Sequence, residues 1–147
     1  MMHVQLSRDA ALLNRVVNDP SVFPHVSFGF KGPFDMAPFV LDERNYFFAN
    51  EHGGFLGLDK GNGIYEVHTQ FLPAGRGKAA IRAAREAMTY MFTQTPCHAL
   101  LTFCPLDNPA SAFLAKAAGM TRFKTETELG VQGDTYTITR KEWQCQQ

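Results

Sequence analysis

Cysteine is scarce in this chain and unpaired. Cys97, Cys104 and Cys145 are odd in number and form no Cys-x-x-Cys pair. That argues against a disulfide framework or a cysteine zinc site and fits reduced thiols of a cytoplasmic protein. Net charge is absent too: 14 Lys and Arg balance 14 Asp and Glu. A balanced chain gives no support for a general nucleic-acid or membrane-surface binder. No apolar run approaches membrane-spanning length. The N-terminus, "MMHVQLSRDAALLNRVV", lacks the uninterrupted apolar core of a signal peptide. Repeats and low-complexity tracts are missing. His25, His52 and His98 are scattered without ligand spacing, so no metal is expected.

What remains is a well-patterned chain of 147 residues, of which 45% are hydrophobic and 13 are Phe. That length fits one domain, residues 1–147, with a real core. "HVQLS" predicts a first strand. Asp9 suits the N-cap of a helix over "AALLNRVV", and "NDP" stops it. Residues 20–40 carry four prolines and five phenylalanines, which predicts irregular chain with one short helix near its end. "NYFFANE", "GFLGLDK" and "IYEVHTQFL" predict an antiparallel meander with turns at "HGG" and "GNG". An alanine-rich helix follows and ends at Pro96. "HALLTFC" reads as a strand buried on both faces. Asn108, Pro109 and Gly119 bracket another helix. "TRFKTETEL" and "DTYTITRKEW", separated by "GVQG", predict a last hairpin, whose edge offers strand pairing in a homodimer. The fold class is mixed α/β, with a parallel β-α-β crossover after the meander.

The segment "FLPAGRGKAAIRAAREA" (71–87) joins the third meander strand to that helix. A helix N-terminus offers free N–H groups and a positive dipole end, and Arg76 and Lys78 add charge. A Walker loop is excluded, because Ala79 follows Gly77-Lys78 and Leu72 occupies the first glycine position. Gly75-x-Gly77-x-x-Ala80 matches a dinucleotide fingerprint literally, but the meander before it and the missing ribose-binding acid after it are wrong for that fold. A plain strand-to-helix turn is the simplest alternative.

"P-A-G-R-G-K-A" (73–79) resembles the "P-x-x-R-G-x-G/A" loop of the GNAT N-acetyltransferase superfamily. "N-P-A-S-A-F-L-A-K-A-A-G-M" (108–120) resembles that superfamily's "N-x-x-A-x-x-x-Y-x-x-x-G-F" helix at matching spacing. The order of elements is similar as well. The resemblance implies an acyl-CoA N-acyltransferase fold. It also implies acetyl-CoA as co-substrate, its pyrophosphate on the backbone of Arg76, Gly77, Lys78, Ala79, Ala80 and Ile81. The pantetheine arm would pair with Gln70, Phe71 and Leu72, and Asn108 would either reach that arm or cap its helix. The expected reaction is acetyl transfer to a primary amine of a small molecule or protein. Near neutral pH that amine must lose a proton. Glu66 and His68, two apart on one strand face, are the base candidates; the alternative is that they face solvent or a partner. The oxyanion would be held by strand backbone near Phe71.

The match has departures. Ala115 stands where the superfamily commonly has a tyrosine acid, and Ala79 and Ile81 fall at later glycine positions of the loop. The loosened loop is similar to that of GNAT-like proteins encoded by tailed phages. It keeps open a second role, a noncatalytic binding or structural protein. Phe28, Phe30 and Phe34 either form an apolar lid over the acceptor or fill the core.

Overall fold

The computed structural model describes residues 3–147. The chain forms β1 (Gln5–Leu6), α1 (Ala10–Val17), α2 (Phe23–Val26), α3 (Ala37–Val40), β2 (Tyr46–Asn50), β3 (Gly53–Asp59) and β4 (Ile64–Phe71). A short 3-10 turn (Pro73–Gly75) leads to α4 (Lys78–Gln94), β5 (Ala99–Pro105), α5 (Pro109–Ala117), β6 (Thr121–Glu128), β7 (Val131–Thr139) and α6 (Arg140–Cys145). One sheet holds all seven strands in the order β1-β2-β3-β4-β5-β7-β6. Only β4 and β5 run parallel. The meander, the β-α-β-α unit and the C-terminal hairpin stand as the sequence predicts.

Each face of the sheet is covered by helices that its residue pattern selects. Along β2 to β4, alternate residues point to opposite sides. Phe48, Phe55, Tyr65 and Phe71 pack with Ala80, Ala83, Ala87, Met88 and Met91 of α4. The small alanines let this helix lie close to the strands. Phe47, Ala49 and Leu56 face the other way and pack on Leu13 and Val17 of α1 and on Val40. Asp9 caps α1 as expected, its Oδ1 accepting from the Leu12 N–H at 3.0 Å.

Three boundaries differ from expectation. The 20–40 segment contains two short helices, α2 and α3, where one was expected. Its irregular remainder is held by two asparagines one turn apart on α1. Asn18 Oδ1 accepts from the Phe34 N–H at 2.7 Å and its Nδ2 donates to the Phe34 carbonyl at 2.8 Å. Asn14 Oδ1 accepts from the Met36 N–H at 2.6 Å. The last hairpin turns through Leu129-Gly130 alone, not "GVQG". Both residues have positive φ (49° and 80°), the geometry that matches the twist of a two-residue hairpin. "RKEW" leaves the strand and starts α6, because Thr139 and Glu142 form a reciprocal capping box. The hairpin presents its edge through β6. β7 lies inside the sheet and only β6 is outermost, with an irregularity between Arg122 and Lys124. A bulge and a lysine on an outer strand both discourage pairing with another edge.

Replacing Asn18 by alanine removes both bonds to Phe34 and leaves its N–H without a partner. The expected cost is about 1–3 kcal/mol, seen as a lower urea midpoint with unchanged slope.

Candidate functional site

β4 and β5 begin as a parallel pair and then part. Their ladder spans only Ile64↔Ala99, Tyr65↔Leu100 and Glu66↔Leu101, while β4 stays paired with β3 through Phe71↔Gly53. Just beyond the ladder, Thr102 Oγ1 donates to the Val67 carbonyl at 2.8 Å. From there the strands diverge. Each stays with its other neighbour, β3 for β4 and β7 for β5.

Backbone alternation decides which groups face the gap. The Leu72 N–H donates to the His52 carbonyl at 2.8 Å, and the Ile64 carbonyl accepts from Lys60 at 2.8 Å, so even-numbered residues of β4 bond toward β3. The N–H groups of Thr69 and Phe71 therefore face the gap. Of the expected trio, Phe71 turns its N–H to the gap, with Thr69 beside it, whereas Gln70 and Leu72 direct their backbone to β3. The Phe71 carbonyl is occupied by Arg76, whose Nε donates to it at 3.0 Å.

The turn after β4 is built by close packing. A Cβ on Gly75 would come within 2.5 Å of His52, so only glycine lets the 3-10 turn lie against β3's leading turn. Gly77 caps α4 with φ +76° and no side-chain cap. A Cβ there would meet nothing within 4 Å, so the glycine serves backbone conformation and open approach. The Arg76 N–H is bonded to the Pro73 carbonyl at 3.3 Å and the Ile81 N–H to the Gly77 carbonyl at 3.1 Å. The expected anion cradle therefore narrows from 76–81 to the N–H groups of Gly77, Lys78, Ala79 and Ala80. Arg76 contributes charge but uses its guanidinium as a brace, its Nη2 donating to the Ser21 carbonyl at 2.9 Å.

Gap and turn open into one cavity of about 800 Å³. Arg76, Gly77, Ala80, Ile81 and Asn108 line one end. Asn108 stands at the N-cap of α5 but makes no side-chain cap bond there, and the residue lines the cavity. Glu66 and His68 line the other end, from the same face of β4. His68 Nε2 stands 2.7 Å from Glu66 Oε1. That bond holds the Glu66 pKa below its usual value, with the His68 and Lys60 charges adding to it and burial opposing it. Phe28 and Phe34 line the cavity too, and Phe28 (φ +51°) sets its ring 5.9 Å from Phe103. Both Phe28 and Phe34 are half-buried, and Phe34 also packs against the core on the α1 side; Phe30 is 56% exposed and lies outside the cavity lining.

Glu128 and Leu129, from the far hairpin, also line the cavity. Burial first, then the charges of Glu66 and Glu126, push the Glu128 pKa up. Alternation along "TETEL" marks Glu126 and Glu128 as sharing a face, but nothing local says that the face looks back at β4. Ala115 is buried (5%) and borders a separate apolar void of about 60 Å³ between the sheet, α4 and α5. No tyrosine lines the large cavity: Tyr65 and Tyr136 are both buried in the core. Among the described residues, no three His, Cys, Asp or Glu side chains converge to hold a metal.

No protein-family model and no curated protein matches this chain. Solved structures do. A GNAT-family acetyltransferase from Bacillus anthracis superposes with a TM-score of 0.74 at 18% identity, covering 94% of this chain and 95% of that one. A spermidine N-acetyltransferase from Vibrio cholerae, in complex with CoA and spermine, gives 0.75 at 15% identity over 97% and 98%. An aminoglycoside acetyltransferase in complex with coenzyme A and kanamycin gives 0.75 at 15% over 97% and 96%. At these identities the likeness is one of fold: the chain has the GNAT acyltransferase fold that its two motifs imply.

The depressed Glu66 pKa has a stability consequence. A carboxylate whose folded value lies below the ordinary 4.5 stabilises the fold above that pH and loses the contribution as pH falls through the folded value. Glu66→Gln is expected to lower stability by a few tenths to about 1 kcal/mol at pH 7. The stabilities of the two proteins in urea titrations are expected to draw together as pH falls below 4.5.

Proposed function

We propose that this protein transfers an acetyl group from acetyl-CoA to a primary amine. The observation that carries the reading is the gap between β4 and β5, where the N–H groups of Thr69 and Phe71 face a cavity that Gly77 and Ala80 of the α4 N-terminus also line. A helix N-terminus with four N–H groups free of intrahelical bonds suits a pyrophosphate. A strand with unpaired N–H groups suits the amides of a pantetheine arm and the carbonyl oxygen of a thioester. Neighbours of the same fold, with CoA and spermine or with coenzyme A and kanamycin bound, support the same reading.

In this reading Gly77, Lys78, Ala79 and Ala80 bind the pyrophosphate, with Ile81 in the adjoining wall. Phe71 and Thr69 hold the arm and the oxyanion, and Asn108 bonds the arm. Glu66, kept ionised, accepts from His68 Nε2–H. In the neutral ring that leaves Nδ1 to take a proton from the incoming ammonium. The amine nitrogen forms a bond to the carbonyl carbon as the carbon–sulfur bond breaks. Of the two protons the ammonium gives up, one leaves to solvent through His68 and one ends on sulfur by way of water. The water route follows from Ala115, which has no hydroxyl to donate. The same residue favours the second reading, a noncatalytic binding or structural protein of this fold, and turnover decides between them.

Lys78→Glu separates fold from binding. A carboxylate in the first turn of α4 favours the helix dipole but repels a pyrophosphate. The variant is expected to melt at or above the wild-type temperature while its calorimetric affinity for acetyl-CoA falls about tenfold or more. Absence of saturable wild-type binding at millimolar acetyl-CoA sinks the transferase reading. His68→Ala is expected to lower kcat about a hundredfold and Glu66→Gln about tenfold. Unchanged kcat in both would remove the pair from the chemistry.

A further inference from the structure

We propose, resting on the transferase reading, that the acceptor is a primary amine on an apolar, aromatic-sized body, and that Gln70 accepts a hydrogen bond from its nitrogen. Gln70 is only 5% exposed, and among the described residues its buried Oε1 has no hydrogen-bond partner. A buried acceptor left unpaired costs about 1–3 kcal/mol, and folded proteins keep few of them. A donor supplied by a ligand accounts for one here, because Gln70 lines the large cavity.

Its position on the strand gives that donor a role. Gln70 shares a face with Glu66 and His68, at steps of two along β4. It also sits between Thr69 and Phe71, whose N–H groups face the gap. A nitrogen bonded to the Gln70 carboxamide therefore lies beside the backbone that would hold the reacting carbonyl, with His68 next along the strand. Glu66 and Glu128 line the same cavity and supply negative charge.

The walls select what the nitrogen is attached to. Phe28, Phe34, Phe39 and Leu58 line the cavity on the face of β4 that carries Gln70 or beside it. Phe113 (65% exposed) and Leu129 (69%) carry the apolar lining out to solvent. A polyhydroxylated acceptor would set most of its hydroxyls against these side chains, and a polycation would find only the carboxylates of Asp35, Glu66 and Glu128 among the lining. An arylalkyl amine sets its ring against apolar walls and its one ammonium at Gln70, within a cavity that the carboxylates make negative.

The test uses the purified full chain, Gln70→Leu, and the probes 2-phenylethylamine, spermine and kanamycin. Leucine keeps the bulk of glutamine and removes the orphaned acceptor, so the variant is expected to melt at or above the wild-type temperature. Its acetyl-CoA affinity is expected within twofold of wild type. Its kcat/KM for 2-phenylethylamine is expected to fall ten- to hundredfold. Wild type is expected to prefer 2-phenylethylamine over spermine and kanamycin at least tenfold. Undiminished turnover by the variant, or a wild-type preference for either polar probe, overturns the inference. Should wild type fail to bind acetyl-CoA, the transferase reading falls separately. The Gln70 assignment is then judged by NMR titration of the protein with 2-phenylethylamine. Saturable binding that shifts the Gln70 side-chain amide and is lost in the variant sustains it, and no binding refutes it.

Discussion

The parting of β4 from β5 is the feature on which the rest of the site depends. Three residue pairs join the strands, and then each follows its other neighbour. A continuous ladder would bury the N–H groups of Thr69 and Phe71 in the sheet and close the cavity between them and α5. The divergence is stabilised at both ends. Thr102 closes the last rung through the Val67 carbonyl, and Arg76 takes the Phe71 carbonyl that lost its strand partner. The backbone groups left facing the gap are the N–H groups of Thr69 and Phe71 and the Thr69 carbonyl, which suits an extended ligand that carries amides.

The cavity is electrostatically polar along its length although the chain as a whole is neutral. One end has Arg76 and the α4 N-terminus, and the other has Glu66 and Glu128. An anionic donor and a cationic acceptor would enter such a site from opposite ends. Much of the acceptor wall is irregular chain. Asn14 and Asn18 hold 34–36 to α1, and Arg8 Nη1 donates to the Val40 and Asp42 carbonyls at 2.9 Å each. These polar brackets let a proline- and phenylalanine-rich segment hold a defined wall with little regular structure.

Much of the fold was legible locally. The meander, α1, α4, α5 and the last hairpin follow from alternation, caps and breakers, and the loop at 73–79 with the helix at 108–120 identified the fold. The misplaced boundaries had local signals too. Thr139 and Glu142 spell a capping box, and Leu129-Gly130 sits where a two-residue turn leaves the flanking strands in register. The second helix in 20–40 had less to announce it, since a four-residue helix carries no periodicity.

The sequence by itself determined the element order, the glycine-opened helix N-terminus at Gly77, and the placing of Glu66, His68 and Gln70 on one strand face. Those properties depend on neighbours a few residues apart, where alternation, φ and capping act. Tertiary structure alone decided that the usable backbone donors belong to Thr69 and Phe71, that Arg76 is a brace, that Asn108 faces the cavity, and that Glu128 joins Glu66. Each of these is set by strand order and by which partner a group finds across the sheet. No local pattern records that choice, because the same residues in another strand order would make different bonds.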